Sequence, residues 1–239
     1  MTTKQKNPLQ MTTAIIPSAG KGIRIDGNVS KQYLFIGTQP ILARTLLAFD
    51  SCGEIDQILL VVSRKESDFC KNRILEPLGL QKTVKVILGG ATRQESVYNG
   101  LLSADNKEGI VVIHDGVRPF IEQDRIEAVI RGAKECGACI LGMPADDTLK
   151  HITRSGYIKK TVEREKIWLA QTPQAFQYAL IRNAHEQARE ESFSGTDDAI
   201  LVERLNETIK VIKGSRINFK ITTRADLNLA RKIADANPC

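Results

Sequence analysis

The chain has 239 residues, 42% of them hydrophobic and 26% charged, and its 34 Lys and Arg against 28 Asp and Glu give a net charge of +6. A chain of that length buries enough surface to need no staples, and that balance excludes extended disorder. No apolar run approaches the ~20 residues that span a bilayer. Scattered charge with 5% aromatics argues against a nucleic-acid groove and leaves small anionic ligands open.

The first ten residues, MTTKQKNPLQ, are polar and lack the apolar stretch of a secretory signal, so residues 1–11 are expected to be a flexible tail. From there, short runs rich in Val and Ile alternate with helical patterns. Residues 12–17, 58–63, 84–88, 109–115 and 138–144 are continuously apolar, as strands covered on both faces should be. Between them, Pro40 stands where a first-turn proline belongs, ahead of ILARTLLAFD. Thr92 and Glu95 fit a capping box opening a helix toward Leu102, and 122–135 and 177–191 have helical spacing. The sum is α/β: a doubly wound, mainly parallel twisted sheet with helices on both faces. LKHIT and YIKKTV flank Arg-Ser-Gly, a hairpin signal that does not fit inside such a sheet. It is expected to project as an arm, about 146–170, from a single domain over 12–236, against a second copy of the chain.

Three segments carry chemistry. Pro17-Ser18-Ala19-Gly20-Lys21-Gly22-Ile23-Arg24 follows the first strand, with Ser30-Lys31-Gln32-Tyr33 close behind. Small residues let backbone N–H groups approach a phosphate, and Arg24 and Lys31 add mobile charge. A dinucleotide fingerprint would need a third glycine at Ile25, and a Walker A loop would need Ser or Thr after Lys21. A glycine-rich turn with solvated basic residues is the plain alternative. In the second segment, His114-Asp115-Gly116-Val117-Arg118-Pro119, Asp115 ends a buried strand, where open α/β sheets place their ligands. A lone carboxylate there suits Mg²⁺, or equally caps the next turn and pairs with Arg118; His114 reads as a satisfied strand-end histidine. In the third, Gly89-Gly90-Ala91-Thr92-Arg93 opens a helix and could cradle a base or sugar. Thr196-Asp197-Asp198 and Thr223 to Asp226 read as helix caps. Cys136-Gly-Ala-Cys139 lacks the second pair that zinc needs and does not open a helix as a redox pair does. An odd cysteine count of five points to reduced thiols and the cytoplasm.

In order and spacing these segments resemble the 2-C-methyl-D-erythritol 4-phosphate cytidylyltransferases, from about Thr12 to Ala234. The family's opening loop appears as PSAGKGIR and SKQY, its His-Asp-x-x-Arg-Pro as HDGVRP, and its Asp-Thr-Leu-Lys at 147–150. Thr161-x-x-Arg164, TPQAF at 172–176, Thr196 to Ala199 and Asn218 to Thr222 follow in the same order. The resemblance implies a Rossmann-like nucleotidyltransferase that joins CTP to a sugar-alcohol phosphate as a homodimer. It implies Arg24 and Lys31 as the catalytic cations. It places CTP at Pro17, Ser18, Ala19, Gly20, Gly22, Gly90, Arg93 and Ser96, and Mg²⁺ or another divalent cation at Asp115. Arg118, Thr148, Arg164, Thr196 and Lys220 would position the acceptor, Thr148 and Arg164 from the partner's arm. Three departures stand out: Ser18 for alanine, Gly116-Val117 for Ala-Ala or Ser-Ala, and Ser30 for the proline before Lys31, which is expected to leave that loop looser. Gly116 to Phe120 and the ITT after Lys220 also lean toward ribitol-5-phosphate cytidylyltransferases. A non-catalytic nucleotide-binding regulator is the reading from another class.

Overall fold

A computed structural model of the chain describes residues 11–20 and 30–236. Gly22, Arg24 and all of the expected tail except Met11 lie outside the described residues. In chain order the elements are β1 (Thr12–Pro17), β2 (Phe35–Ile36), β3 (Gln39–Pro40), α1 (Ile41–Asp50), β4 (Gln57–Val62) and two short helices, α2 (Ser67–Cys70) and α3 (Glu76–Leu78). Then come β5 (Thr83–Leu88), α4 (Arg93–Leu102), β6 (Ile110–Ile113), α5 (Gln123–Cys136), β7 (Ala138–Pro144), β8 (Lys150–Ile152) and β9 (Ile158–Thr161). The chain continues with β10 (Trp168–Gln177), α6 (Tyr178–Glu190), α7 (Ala199–Glu203), β11 (Lys210–Lys213) and α8 (Arg224–Ala236).

Seven strands form one sheet in the order β11-β7-β10-β6-β1-β4-β5. Neighbours run parallel except β10, which is antiparallel to both β6 and β7. The central strands β1, β4 and β6, and β7 beyond β10, are apolar on both sides because both faces are covered. Ile16, Leu60 and Val112 pack with Leu42, Phe49 and Ile130 on the face of α1 and α5. Ile15, Leu59 and Val111 pack with Val97, Leu101 and Ile181 on the face of α4 and α6. The doubly wound, mainly parallel sheet expected from the sequence is therefore the one observed.

Two local readings change. Pro40 is the residue flanking α1, with φ −59° and ψ 148°, not a residue of its first turn. Proline fixes only φ, and pairing of Pro40 with Phe35 keeps its ψ extended. The strand over 168–177 is not among the runs read from the sequence, and its Pro173 is a residue rare in central strands. Pro173 falls at a register irregularity of β10 between Gln171 and Gln174, and the Thr172–Pro173 bond is cis. The hairpin is present, with β8 and β9 antiparallel as a separate two-stranded sheet and Gly156 at φ +85° in its turn. Ile152, Tyr157 and Ile158 on the hairpin, and Trp168 and Leu169 at the start of β10, are exposed.

The Cys136 and Cys139 pair spans the end of α5 and the start of β7. Gly137 ends α5 at φ +86°, the Cys136 thiol donates to the Gly132 carbonyl at 2.9 Å, and Cys139 is buried in β7. Among the described residues no helix is long and apolar enough to cross a membrane.

Candidate active site

The strand order decides where a ligand can sit. From β1 the chain builds β4 and β5 on one side, then returns to place β6 on the other. At such a reversal the loops at the strands' carboxyl ends separate and leave a crevice. The loops after β1, β5 and β6 meet there. They carry Ser18 to Gly20, Gly89 to Thr92, and His114 to Arg118.

Close packing shapes the first two. A side chain on Gly89 would run into Ala19 Cβ and Ser96 Oγ. Thr92 caps α4 by accepting from the Glu95 N–H at 3.0 Å. The Glu95 carboxylate completes the turn by accepting from Ala91 N–H at 2.6 Å, one residue earlier than a reciprocal box requires. Ser96 Oγ accepts from Gly90 N–H at 3.1 Å and donates to the Thr92 carbonyl at 2.8 Å.

The crevice has two lobes. One, of about 170 Å³, is lined by Pro17, Ser18, Ala19, Gly20, Lys31, Gln32, Arg93, Ser96, Asp115, Val117 and Lys220. The other, of about 240 Å³, is lined by Arg93, Asp115, Arg118, Ala170, Gln171, Thr172, Gln174, Thr196, Asp197 and Lys220. Arg93, Asp115 and Lys220 belong to both. The fold thus gathers Lys31, Arg118, Thr196, Lys220 and most of the expected nucleotide residues at one place. Gly90 stands behind the lining, bonded to Ser96. Thr148 and Arg164 are exposed at the base of the arm and line neither lobe of their own chain. Arg164 donates instead to the Asp146 carbonyl.

Asp115 is the electrostatic centre. Its side chain is 8% exposed, with Arg93 Nε at 3.0 Å, Lys220 Nζ at 3.0 Å and Arg118 Nε at 3.6 Å. Burial would raise its carboxyl, but Arg93, Lys220 and Arg118 outweigh burial and hold it well below the ordinary carboxylate range. Of the two sequence readings of Asp115, the pairing with Arg118 is observed, and the carboxylate also lines the cleft. Lys31 is lowered from the usual lysine value, first by burial and then by Lys220, with Asp115 opposing. Two amines that repel each other beside one carboxylate leave local positive charge facing the cleft. His114 is satisfied on both nitrogens, by Thr172 Oγ1 at 3.1 Å and the Arg118 carbonyl at 3.0 Å. Burial lowers it to about 4, so it is neutral near pH 7.

Several site residues escaped the sequence reading. Arg93 is held from behind by Asp198, 1% exposed, at 2.7 Å, and Asp198 Oδ1 lies 3.3 Å from Nε2 of buried His185. Asp197, not Asp198, caps α7 by accepting from Ile200 N–H at 3.1 Å. A cap needs one acid, and the second acid in Thr196-Asp197-Asp198 was the available signal. Thr172 Oγ1 accepts from the Asp115 N–H at 3.1 Å. Asn218 Nδ2 donates to the Thr172 carbonyl at 2.8 Å, and Arg118 donates to the Asn218 carbonyl at 2.7 Å. These bonds tie β10 and the 214–222 segment to the Asp115 loop.

Two of the sequence departures are one adjustment. A Cβ on Gly116 would collide with Ser18 Oγ, so glycine at 116 makes room for the hydroxyl at 18. Arg118→Lys is expected to lose the bond to the Asn218 carbonyl along with guanidinium geometry. A lower urea midpoint than the wild type's should follow, measured by equilibrium unfolding.

The donor set limits how a metal could bind. Among the described residues no three His, Cys, Asp or Glu side chains stand together to hold one. Asp115 is a single carboxylate already paired with cations, which fits an ion that brings phosphate and water as its other ligands and not a cage built by protein alone.

A doubly wound sheet with a glycine-lined cleft at its reversal point, and cations converging on one carboxylate there, defines an α/β protein of the class that binds ligands beyond the carboxyl ends of its strands. Residues 12–235 match the model of the IspD family, 2-C-methyl-D-erythritol 4-phosphate cytidylyltransferase, and the chain belongs to that family. It is 44% identical over 220 residues to the 2-C-methyl-D-erythritol 4-phosphate cytidylyltransferase of Geobacter metallireducens, covering 91% of this chain and 94% of that one. It is 45% identical over 217 residues to the protein of that name from Syntrophus aciditrophicus, covering 91% and 93%. Among solved structures, 4-diphosphocytidyl-2C-methyl-D-erythritol synthase from Anaerococcus prevotii superposes with a TM-score of 0.84 at 32% identity, covering 96% of this chain and all of that one.

Proposed function

We propose that this cleft carries out its family's reaction, transfer of the cytidylyl group of CTP to 2-C-methyl-D-erythritol 4-phosphate with release of pyrophosphate, in the non-mevalonate route to isoprenoid precursors. The observation that carries the assignment of residues is the sharing of Arg93, Asp115 and Lys220 by two lobes. The glycine-lined lobe suits a nucleotide. The lobe with Arg118 and Thr196 suits a phosphorylated polyol. Their reacting phosphates would meet over Asp115.

The acceptor needs no activation by a base. The second pKa of a phosphate monoester is about 6, so its oxygen is already ionised near pH 7. That oxygen attacks the α-phosphorus, a new P–O bond forms, the α–β bond breaks, and its electron pair leaves with pyrophosphate. No proton has to move, and neutral, fully bonded His114 is not asked to move one. The barrier is the approach of two polyanions, so catalysis is positioning and charge neutralisation. Lys31 and Lys220 line the cleft where that charge gathers, and the family motif assigns the same role to Arg24. Asp115 would hold Mg²⁺ or a similar cation together with the nucleotide, which supplies further neutralisation of the phosphates.

Thr148 and Arg164 reach the acceptor lobe from the arm of a second copy. Exposed Ile152, Ile158, Trp168 and Leu169 would supply the apolar surface of that homodimer. An odd number of cysteines supports reduced thiols and a cytoplasmic enzyme.

Pyrophosphate release tests the reaction. CTP should support turnover where ATP, GTP and UTP do not, and 2-C-methyl-D-erythritol 4-phosphate should be used in place of ribitol 5-phosphate. Turnover confined to ribitol 5-phosphate would overturn the acceptor. Arg164→Ala is expected to raise KM for the sugar phosphate and spare CTP. Mixing it with Lys31→Ala protein should recover part of the activity once subunits exchange, and no recovery despite proven exchange would argue against sites shared between subunits.

A further inference from the structure

We infer that Glu66 is a positioning residue for the reaction, its carboxylate clamping the turn that presents Lys31 to the cleft. Glu66 sits on the short 3₁₀ turn after β4, outside the cleft lining. One of its oxygens takes the Ser30 hydroxyl. The other accepts from Ser63 Oγ at 2.7 Å, with Gln32 Nε2 at 3.5 Å. Gln32, 2% exposed, also donates to the Ser18 carbonyl at 3.0 Å. The residues on either side of Lys31 are therefore anchored to the carboxyl ends of two neighbouring parallel strands, β1 through Ser18 and β4 through Ser63.

The clamp answers the missing proline. Ser30 adopts φ −66° and ψ 138°, the φ that a proline ring would impose. The loosening expected from Ser30 is offset by a side-chain bond in place of a ring. Tyr33 closes the same turn from behind, edge-on to Phe69 with ring centroids 4.9 Å apart. Lys31 needs such an anchor because Lys220 repels its ammonium across the cleft. A free turn would let the two amines separate before the triphosphate arrives, and a displaced charge forfeits much of its catalytic effect.

The inference rests on Lys31 facing the reacting phosphates, so the test is a double-mutant cycle. Glu66→Ala should lower kcat about tenfold with little change in KM for CTP, and speed amide exchange at residues 31–34. In a Lys31→Ala background the same change should cost almost nothing further. Ser30→Pro should restore turnover to Glu66→Ala, because the ring supplies the backbone constraint without the carboxylate. Wild-type kcat in Glu66→Ala, or an equal loss with and without Lys31, overturns the clamp. If Lys31→Ala alone keeps full turnover, the role given to Lys31 has failed, and amide exchange then decides the clamp by itself: faster exchange upholds it and unchanged exchange overturns it.

Discussion

Replacing Lys31 by alanine is expected to lower kcat by about 10²–10³, equivalent to about 2.7–4 kcal/mol of lost transition-state stabilisation, while KM for CTP moves far less. The reason is where charge accumulates. Arg93 and Lys220 line the same lobe and, on the proposed reading, already meet the triphosphate in the ground state. When the acceptor phosphate arrives, negative charge would build at the α-phosphorus, and on the proposed reading the ammonium of Lys31 would already be in place to meet it. Burial and Lys220 have already made that amine costly to keep charged, so its interaction with an anion is correspondingly favourable. Steady-state kinetics with CTP varied at saturating acceptor is the measurement. A rise confined to KM would show that Lys31 only holds the substrate.

Asp115→Asn is expected to damage both the fold and the reaction. The substitution keeps the side-chain volume and removes the one carboxylate that Arg93, Arg118 and Lys220 share. Removing one partner of a buried ion pair costs about 3–5 kcal/mol because the remaining charge is left uncompensated. The cost should fall toward the lower end, since the Lys220 side chain keeps 39% of its surface in solvent. The sign of the pH dependence follows from the depressed carboxyl. Its unfolded value is near 3.9, so the stabilisation is complete above that value and is lost as pH falls through the lower folded one. The wild type should therefore exceed the variant in urea midpoint at pH 7 and pH 5, and the gap should close in strong acid. A gap independent of pH would mean that the Asp115 charge does not stabilise the fold.

Much of this could be read from the residues. Short Val- and Ile-rich runs separated by helical spacing specify strands covered on both faces, and five of the sheet's strands stand where those runs are. Thr92 and Glu95 announce the start of α4, and Gly137 the end of α5, because caps are local chemistry. The glycines of the first loop and the charged residues after β6 announced an anion site for the same reason. β10 did not show itself, because Pro173 is a strong local signal against a strand and only its neighbours β6 and β7 make the position tolerable.

What the linear sequence determined by itself is five of the sheet's strands, helices α1, α4 and α5 between them and the arm's hairpin, since spacing and local propensity act between near neighbours. The tertiary structure alone decided how the charges are shared. Arg93 and Asp198 lie 105 residues apart, and nothing local links them. They meet only because β10 runs antiparallel between β6 and β7 and brings α6 and α7 over α4. Pairing of buried charges depends on distance in space, and that distance is set by the path of the chain.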